Sequence, residues 1–196
     1  MKKFLVTSAS LLALSISTAA WADGHGNKIK VGVLATREGT YTVLGEDGIR
    51  GLKVALQEAG NKAGGKDIET IIQSTDASPD SAVRGVKKLV EQDGVDIVIG
   101  PLSGSEGIAL RDYDKPQPQV TIINGISGAQ ETTFVDPAEN FFRFNMDGAQ
   151  WGAGLGEYVA NEKGWKTVAT VVEDYSFAYT NFLGFALGYC NAGGKI

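Results

Sequence analysis

The chain has 196 residues, 43% hydrophobic and 21% charged, the composition of a globular protein with room for one domain or one and a part. Its formal charge is −5, and it holds one histidine and one cysteine. An acidic chain has little attraction for nucleic acid or an anionic membrane surface, and a lone cysteine excludes an internal disulfide.

Residues 1–22 stand apart. Met1-Lys2-Lys3 is basic, residues 4–20 are apolar with small polar residues, and Ala20-Trp21-Ala22 fits a small-x-small cleavage site. The stretch reads as a secretory signal peptide cleaved after Ala22, too short and serine-rich for an anchor. Its removal leaves 16 basic against 23 acidic residues. Residues 23–28 read as a mobile linker, with His25 a solvated tail residue. No second long apolar run follows, so no direct membrane insertion is expected.

The first strand is expected over 28–35, where Ile29, Val31 and Val33 alternate. A loop over 36–45 carries Arg37, Tyr41 and Leu44. Glu46 and Asp47 then favour a helix start, with Ile49, Leu52, Ala55, Leu56 and Ala59 on one face. Residues 60–65 end it, and 67–74 read as the second strand. Ser78 is placed as a helix cap with Pro79 at the first helical position, in a helix that buries Val83, Val86 and Val90. Residues 95–99 are a β-branched strand, stopped by Gly100-Pro101. Ser103-Gly104-Ser105 leads into a helix over 106–112. Two prolines make 114–119 a loop, 120–123 a fourth strand and 124–128 its small-residue exit. Residues 141–144 read as a short strand with Arg143 outward, followed by a helix over 147–162, a strand over 166–172, a loop over 173–178 and a helix over 179–190 with Cys190 packed inside. Residues 193–196 look like a turn and the start of another strand, which sets the expectation of a fragment.

Alternating strands and helices mean an α/β protein: a parallel sheet, right-handed crossovers and helices on both faces. Ligands in such sheets sit beyond the carboxyl ends of the strands. The loops at 36–44, Asp76, 101–105 and 124–128 all fall there. The exit of strand 95–99 organises the site, because a helix start presents free N–H groups, here beside serine hydroxyls, that can hold a carboxylate. Ser103, Ser105 and Ser127 are the candidate hydroxyls, with helix capping as their competing role. Tyr41 and Phe177 are candidate apolar walls, with core packing as the alternative. Asp76 either faces the cleft or makes an Asx-turn before Ser78. Two tempting patterns fail. Gly60 to Lys66 has phosphate-loop spacing but Asp67 replaces the hydroxyl and a strand follows instead of preceding. Gly152-Ala-Gly154-Leu-Gly156 lacks the third glycine of a dinucleotide loop, and its small residues suit close helix packing.

The order of motifs resembles the leucine/isoleucine/valine-binding family of periplasmic ABC-transporter receptors, the type I binding proteins. The matching residues are Val31-Gly-Val-Leu-Ala, Gly39-x-Tyr41 with Gly45, Gly51 with Ala55, Asp76-x-Ser-Pro-Asp80, Lys88-Leu-Val-Glu, Val95-Asp-Ile-Val-Ile-Gly-Pro and Phe142-Arg-Phe. The resemblance covers residues 29–196, the N-terminal half of the family's usual length. It implies two lobes that close on a ligand: 29–140 as most of lobe one, 141–145 as the first crossing strand or hinge, and 146–196 as the incomplete start of lobe two. It implies ligand-binding roles for Tyr41, Leu44, Ser103, Gly104, Ser105, Ile126, Ser127, Gly128 and Phe177. Gly104 and Gly128 stand where many amino-acid binders carry a hydroxyl, and Phe177 stands for a tyrosine, so the pocket is less polar. The implied function is a periplasmic receptor that binds a small carboxylate-bearing solute, a branched-chain or aromatic amino acid or a related acid, and delivers it to membrane permease subunits. No catalysis, cofactor or metal is expected. A sensory ligand-binding domain is the alternative reading. An exported α/β hydrolase is the weaker one, for want of a Gly-x-Ser-x-Gly elbow and a placed histidine.

Overall fold

Lys28–Thr36 form the central strand β1, and every residue from Val31 to Thr36 is buried because both of its faces are covered. The computed structural model describes residues 26, 28–116 and 120–196. The expected leader, His25 and the end of the proline loop lie outside the described residues. Strand β3 (Lys66–Thr75) pairs with β1 in parallel along its full length, and β4 (Ile97–Ile99) pairs in parallel on the other side. Strands β5 (Thr121–Asn124) and β6 (Phe141–Arg143) continue the parallel sheet beyond β4. A two-residue strand β2 (Lys62–Ala63) pairs antiparallel at the far edge, giving the order β2-β3-β1-β4-β5-β6. The hairpin turns on Gly64 and Gly65, both at positive φ, as a two-residue turn of this hand requires.

Successive side chains of β1 enter opposite cores. Leu34 joins Val86 and Leu89, reached through helix α2 (Pro79–Lys87) and the π-turn Lys88–Gln92, and Leu110 of helix α3 (Gly104–Asp114). Val98, Ile122 and Phe141 complete that core from β4, β5 and β6. Val33 and Ala35 meet Ile49 of helix α1 (Thr42–Glu58) on the other face. The sheet is therefore clad on both sides. The chain leaves β1 for β3 on one side and then crosses to β4 on the other. The strand order thus reverses at the carboxyl ends of β1 and β4, where an open α/β sheet leaves a crevice.

Several elements differ from their sequence reading. Helix α1 begins at Thr42, ahead of the acidic pair Glu46 and Asp47, and has no side-chain cap. Its first turn is positioned by contact, with Gly45 against the backbone of Thr36. Ser78 and Pro79 open α2 as expected, but its inward residues are Ala82, Val86 and Leu89, while Val83 and Val90 are half-buried. On β6 it is Phe142 and Phe144 that face outward. Arg143 is tucked in, with its Nε donating to Thr133 Oγ1 at 3.0 Å and a 3.7 Å ion pair to Asp147. The helix expected over 147–162 is two helices, α4 (Gly148–Gly152) and α5 (Leu155–Asn161), separated at Gly154, whose φ is +80°. Gly152 and Gly156 seat them against the backbone of helix α6 (Ser176–Asn191). Residues 166–172 do not form a strand. Thr167 makes one bridge to Lys195, and Val171 is 99% exposed, since apolar alternation makes no strand without a partner alongside. Cys190 is exposed, not packed inside, because α6 turns that face away from α4 and α5.

A Cβ on Gly45 would overlap the Thr36 carbonyl, whereas one on Gly51, in the same helix, meets nothing within 4 Å. Gly45→Ala is expected to lower stability by about 1–3 kcal/mol or more. Gly51→Ala is expected to raise it by up to about 1 kcal/mol. Urea denaturation midpoints of the two variants check both signs.

Candidate ligand-binding site

Two helix N-termini meet beyond the switch point of the sheet. At the start of α3, Ser103 is the cap: Glu106 N–H donates to Ser103 Oγ at 3.1 Å, and Ser103 N–H donates back to Glu106 Oε2 at 2.9 Å. The Ser103 hydroxyl donates to the Ala77 carbonyl at 2.9 Å. The N–H groups of Gly104 and Ser105, at the first helical positions, have no acceptor within the helix. Helix α6 opens after Tyr175 with no side-chain cap, so its first N–H groups are equally without intrahelical partners. The two ends are close: a Cβ on Gly104 would lie 2.5 Å from Ser176 Oγ and 3.1 Å from Phe177 N. Each end carries partial positive charge from its aligned peptides.

A cavity of about 430 Å³ opens at this point. Tyr41, Leu44, Asp47 and Gly48 line it from α1 and the turn before it. Leu102, Ser103 and Gly104 line it from the exit of β4, and Ile126 and Gly128 from the exit of β5. Trp151 of α4, with Tyr175 and Phe177 at the start of α6, closes the opposite side. Phe177 lies edge-to-face with Trp151 at 5.9 Å between ring centroids and 6.2 Å from Tyr175. Its ring rests on Gly128, where a Cβ would come within 2.8 Å of Cδ2. At the rim, the Tyr41 hydroxyl donates to Glu173 Oε1 at 3.1 Å, and this hydrogen bond pushes the Tyr41 pKa up. Burial, followed by the Glu173 charge, raises that of Tyr175. Among the described residues no lysine or arginine lines the cavity.

Seven of the nine residues expected at the site therefore share one cavity: Tyr41, Leu44, Ser103, Gly104, Ile126, Gly128 and Phe177. Ser105 and Ser127 do not line it. Ser127 is fully buried behind the wall, its Oγ packed on Gly107 with no hydrogen-bond partner among the described residues. Arg37 is engaged with Glu46 at 2.7 Å. Asp76 accepts from Ser78 N–H at 2.9 Å in an Asx-turn, and its contacts with Ser78 hold its pKa at about 2. Trp151, Tyr175, Leu102, Asp47 and Gly48 were not expected. Tyr175 stands two residues from Phe177 in the same loop, and that neighbourhood was the available signal. Trp151 had none, because a helix reading does not say which side of the helix meets a cavity. A second, apolar cavity of about 350 Å³ lies between α1 and the sheet and shares Leu44, Gly48, Leu102 and Ile126 with the first. Among the described residues no group of three or more His, Cys, Asp or Glu could hold a metal ion, and no helix is long and apolar enough to cross a membrane.

A sequence model described as periplasmic binding protein matches residues 28–196. A Leu/Ile/Val-binding protein homolog from Brucella abortus is 26% identical over 197 aligned positions, covering 100% of this chain and 48% of the relative. A solute-binding protein of an ABC transporter from R. palustris, solved with benzoate, superposes with a TM-score of 0.80 at 27% identity, over 86% of this chain and 46% of that one. An ABC-transporter substrate-binding protein from Sphaerobacter thermophilus gives 0.75 at 29% identity, over 86% and 46%. The chain spans about half the length of the curated relatives it matches. The family match over residues 28–196, with a sheet that superposes on solved solute-binding proteins, makes this chain a member of the periplasmic binding protein family.

Proposed function

We propose that this chain supplies the ligand-gripping cavity of an exported solute receptor that serves an ABC importer in the periplasm. On this reading residues 1–22 are the leader, 29–140 lobe one, 141–145 the crossing strand, and 146–196 the start of lobe two. The cavity receives a small carboxylate-bearing solute, and the receptor hands it unchanged to membrane permease subunits. The observation that carries the reading is the meeting of two helix N-termini at an aromatic-walled cavity that, among the described residues, no cation lines. Such a place favours an anion through N–H groups and helix dipoles and favours an apolar body through its walls. Gly104 holds the carboxylate through its main-chain N–H group at the start of α3, since the Ser103 hydroxyl is engaged by the Ala77 carbonyl. Phe177, Trp151 and Tyr41 flank the solute body. The benzoate complex of the R. palustris relative and the naming of the Brucella relative support this class of solute.

The walls favour a flat aromatic acid. The Phe177 ring occupies the space beside Gly128 that a hydroxyl-bearing residue would take, and with Trp151 edge-to-face against it the wall presents aromatic surface to the cavity. A zwitterionic amino acid is the second reading, and Glu173 at the rim favours it, as an acceptor for an ammonium group. Calorimetry of the full-length protein with benzoate and with L-leucine separates the two. Benzoate is expected to bind the tighter, with heat absent for both solutes overturning the receptor reading. Glu173→Gln is expected to weaken L-leucine and leave benzoate unchanged.

Phe177→Ala removes the ring that packs on Trp151, and benzoate affinity is expected to fall about tenfold or more. Gly128→Ser pushes the ring from its seat and is expected to reduce benzoate binding by a similar factor while the melting temperature falls by only a few degrees. Benzoate affinity unchanged in both variants would remove the aromatic wall from the site.

A further inference from the structure

Among the described residues Glu106 is a fully buried carboxylate next to the cavity, and nothing in the proposed binding role uses it. It sits in the first turn of α3, directly behind Ser103 and Gly104, at 0% exposure. Its Oε2 accepts the Ser103 N–H at 2.9 Å, and its Oε1 has no hydrogen-bond partner among the described residues. Burial, opposed by the hydroxyls of Thr75 and Ser103 and the amides of Ser103 and Leu102, raises its pKa above the ordinary carboxylate value.

The groups around it supply no compensating cation. From the sheet, the hydroxyls of Thr36 and Thr75 face one another at 3.1 Å. From the loop before α2 comes the exposed Asp76, an acid held by Ser78 and Ser81. On α2, Asp80 and Arg84 are exposed. Across the cavity lie Glu173, Tyr175, Tyr41 and Asp47, with Asp47 paired to Arg50. On α3 itself, Arg111 is turned to Asp112, Asp136 and the carbonyls of Glu131 and Asp136. The cations among these are exposed or turned to other partners, and the groups that oppose burial most strongly at Glu106 are hydroxyls and amides. A carboxylate held at the Gly104 N–H would therefore stand beside a second, buried carboxylate. Two like charges in one poorly solvated place raise the pKa of the one that can take a proton.

We propose that Glu106 sets the charge capacity of this cavity, and that the site takes up a carboxylate solute together with one proton from solvent, held on the Glu106 side chain. The inference rests on the reading that a carboxylate binds at the start of α3. Its direction follows from linkage. Below the pKa of the empty site, Glu106 is already protonated and binding takes up nothing. Between the pKa values of the empty and filled sites, one proton enters with each ligand, and affinity falls as pH rises. Above the filled-site pKa, affinity is at its lowest and flat.

The test is calorimetry of benzoate binding to the full-length protein, from mildly acidic to mildly alkaline pH, in two buffers of different ionisation enthalpy. Proton uptake by the wild type is expected, with affinity falling by up to about tenfold per pH unit in the coupled range. Glu106→Gln keeps a side chain that can complete the capping box. It is expected to bind benzoate with no proton uptake and a flat profile. Binding by the wild type without proton uptake overturns the inference alone, as does uptake that persists in Glu106→Gln. Failure of both benzoate and L-leucine to bind the wild type at any pH overturns the receptor reading as well. Where the variant does not fold, difference infrared spectroscopy of the wild type decides: benzoate must induce a new protonated-carboxyl band, and its absence ends the proposal.

Discussion

The closeness of two backbone segments governs this cavity. The first turn of α3 and the first turn of α6 approach until a single Cβ on Gly104 would stand within 2.5 Å of Ser176 Oγ. A Cβ there would make Ser176 turn its hydroxyl away and the Phe177 backbone, at 3.1 Å, give way by a few tenths of an ångström. The approach has two consequences at once. It sets the partial positive charges of both helix ends side by side, and it brings the ring of Phe177 down onto Gly128. An anion-favouring point and an aromatic wall thus follow from the same pair of glycines. These are the positions where the sequence lacks the hydroxyls common among amino-acid binders.

Magnitudes show why such a site needs both parts. A charge at a helix end is favoured by about 0.3–1 kcal/mol, and up to about 2 kcal/mol when partly buried. Burying on the order of 100 Å² of apolar ring contributes about 2.5 kcal/mol. Neither term alone gives a firm complex once the loss of ligand freedom is subtracted. With no lysine or arginine in the lining among the described residues, the proposed role takes orientation from N–H groups and affinity mostly from the walls. The buried carboxylate of Glu106 is consequential for the same reason, because the hydroxyls and amides around it only partly offset the cost of burying its charge.

Much of this was legible in the sequence. Alternating β-branched residues gave the strands, Ser78-Pro79 the start of α2, and the small-residue exits at 101–105 and 124–128 the mouth of the cavity. What escaped has physical reasons. The strand reading of 166–172 came from local alternation, but strand formation is decided by partners elsewhere in the chain. Trp151 and Leu102 escaped because their value lies in how helices cross, which no local pattern encodes. The role of Ser103 was split between capping and ligand. Its three-residue spacing from Glu106 was the capping-box signature, and the hydroxyl is committed there and to Ala77. The main-chain N–H groups beside it, present in any sequence, are what remain for an anion.

The uneven cladding of the sheet adds a dynamic element. On the α2 and α3 face, eleven buried residues form one continuous core, while on the α1 face only Val33, Ala35 and Ile49 are buried together. Helix α1 buries just Gly45 and Ile49 of its 17 residues, and an apolar cavity of about 350 Å³ runs beneath it. Elements with few buried contacts open at lower free energy than the core does. Yet α1 and the turn before it carry Tyr41, Leu44, Asp47 and Gly48, one whole side of the ligand cavity. A solute that touches this side only when α1 is seated binds the seated form preferentially. By linkage it must stabilise α1 by the same free energy with which α1 seating strengthens binding. On the proposed role, the helix with the fewest buried residues for its length is therefore the one whose order a bound solute is best placed to control.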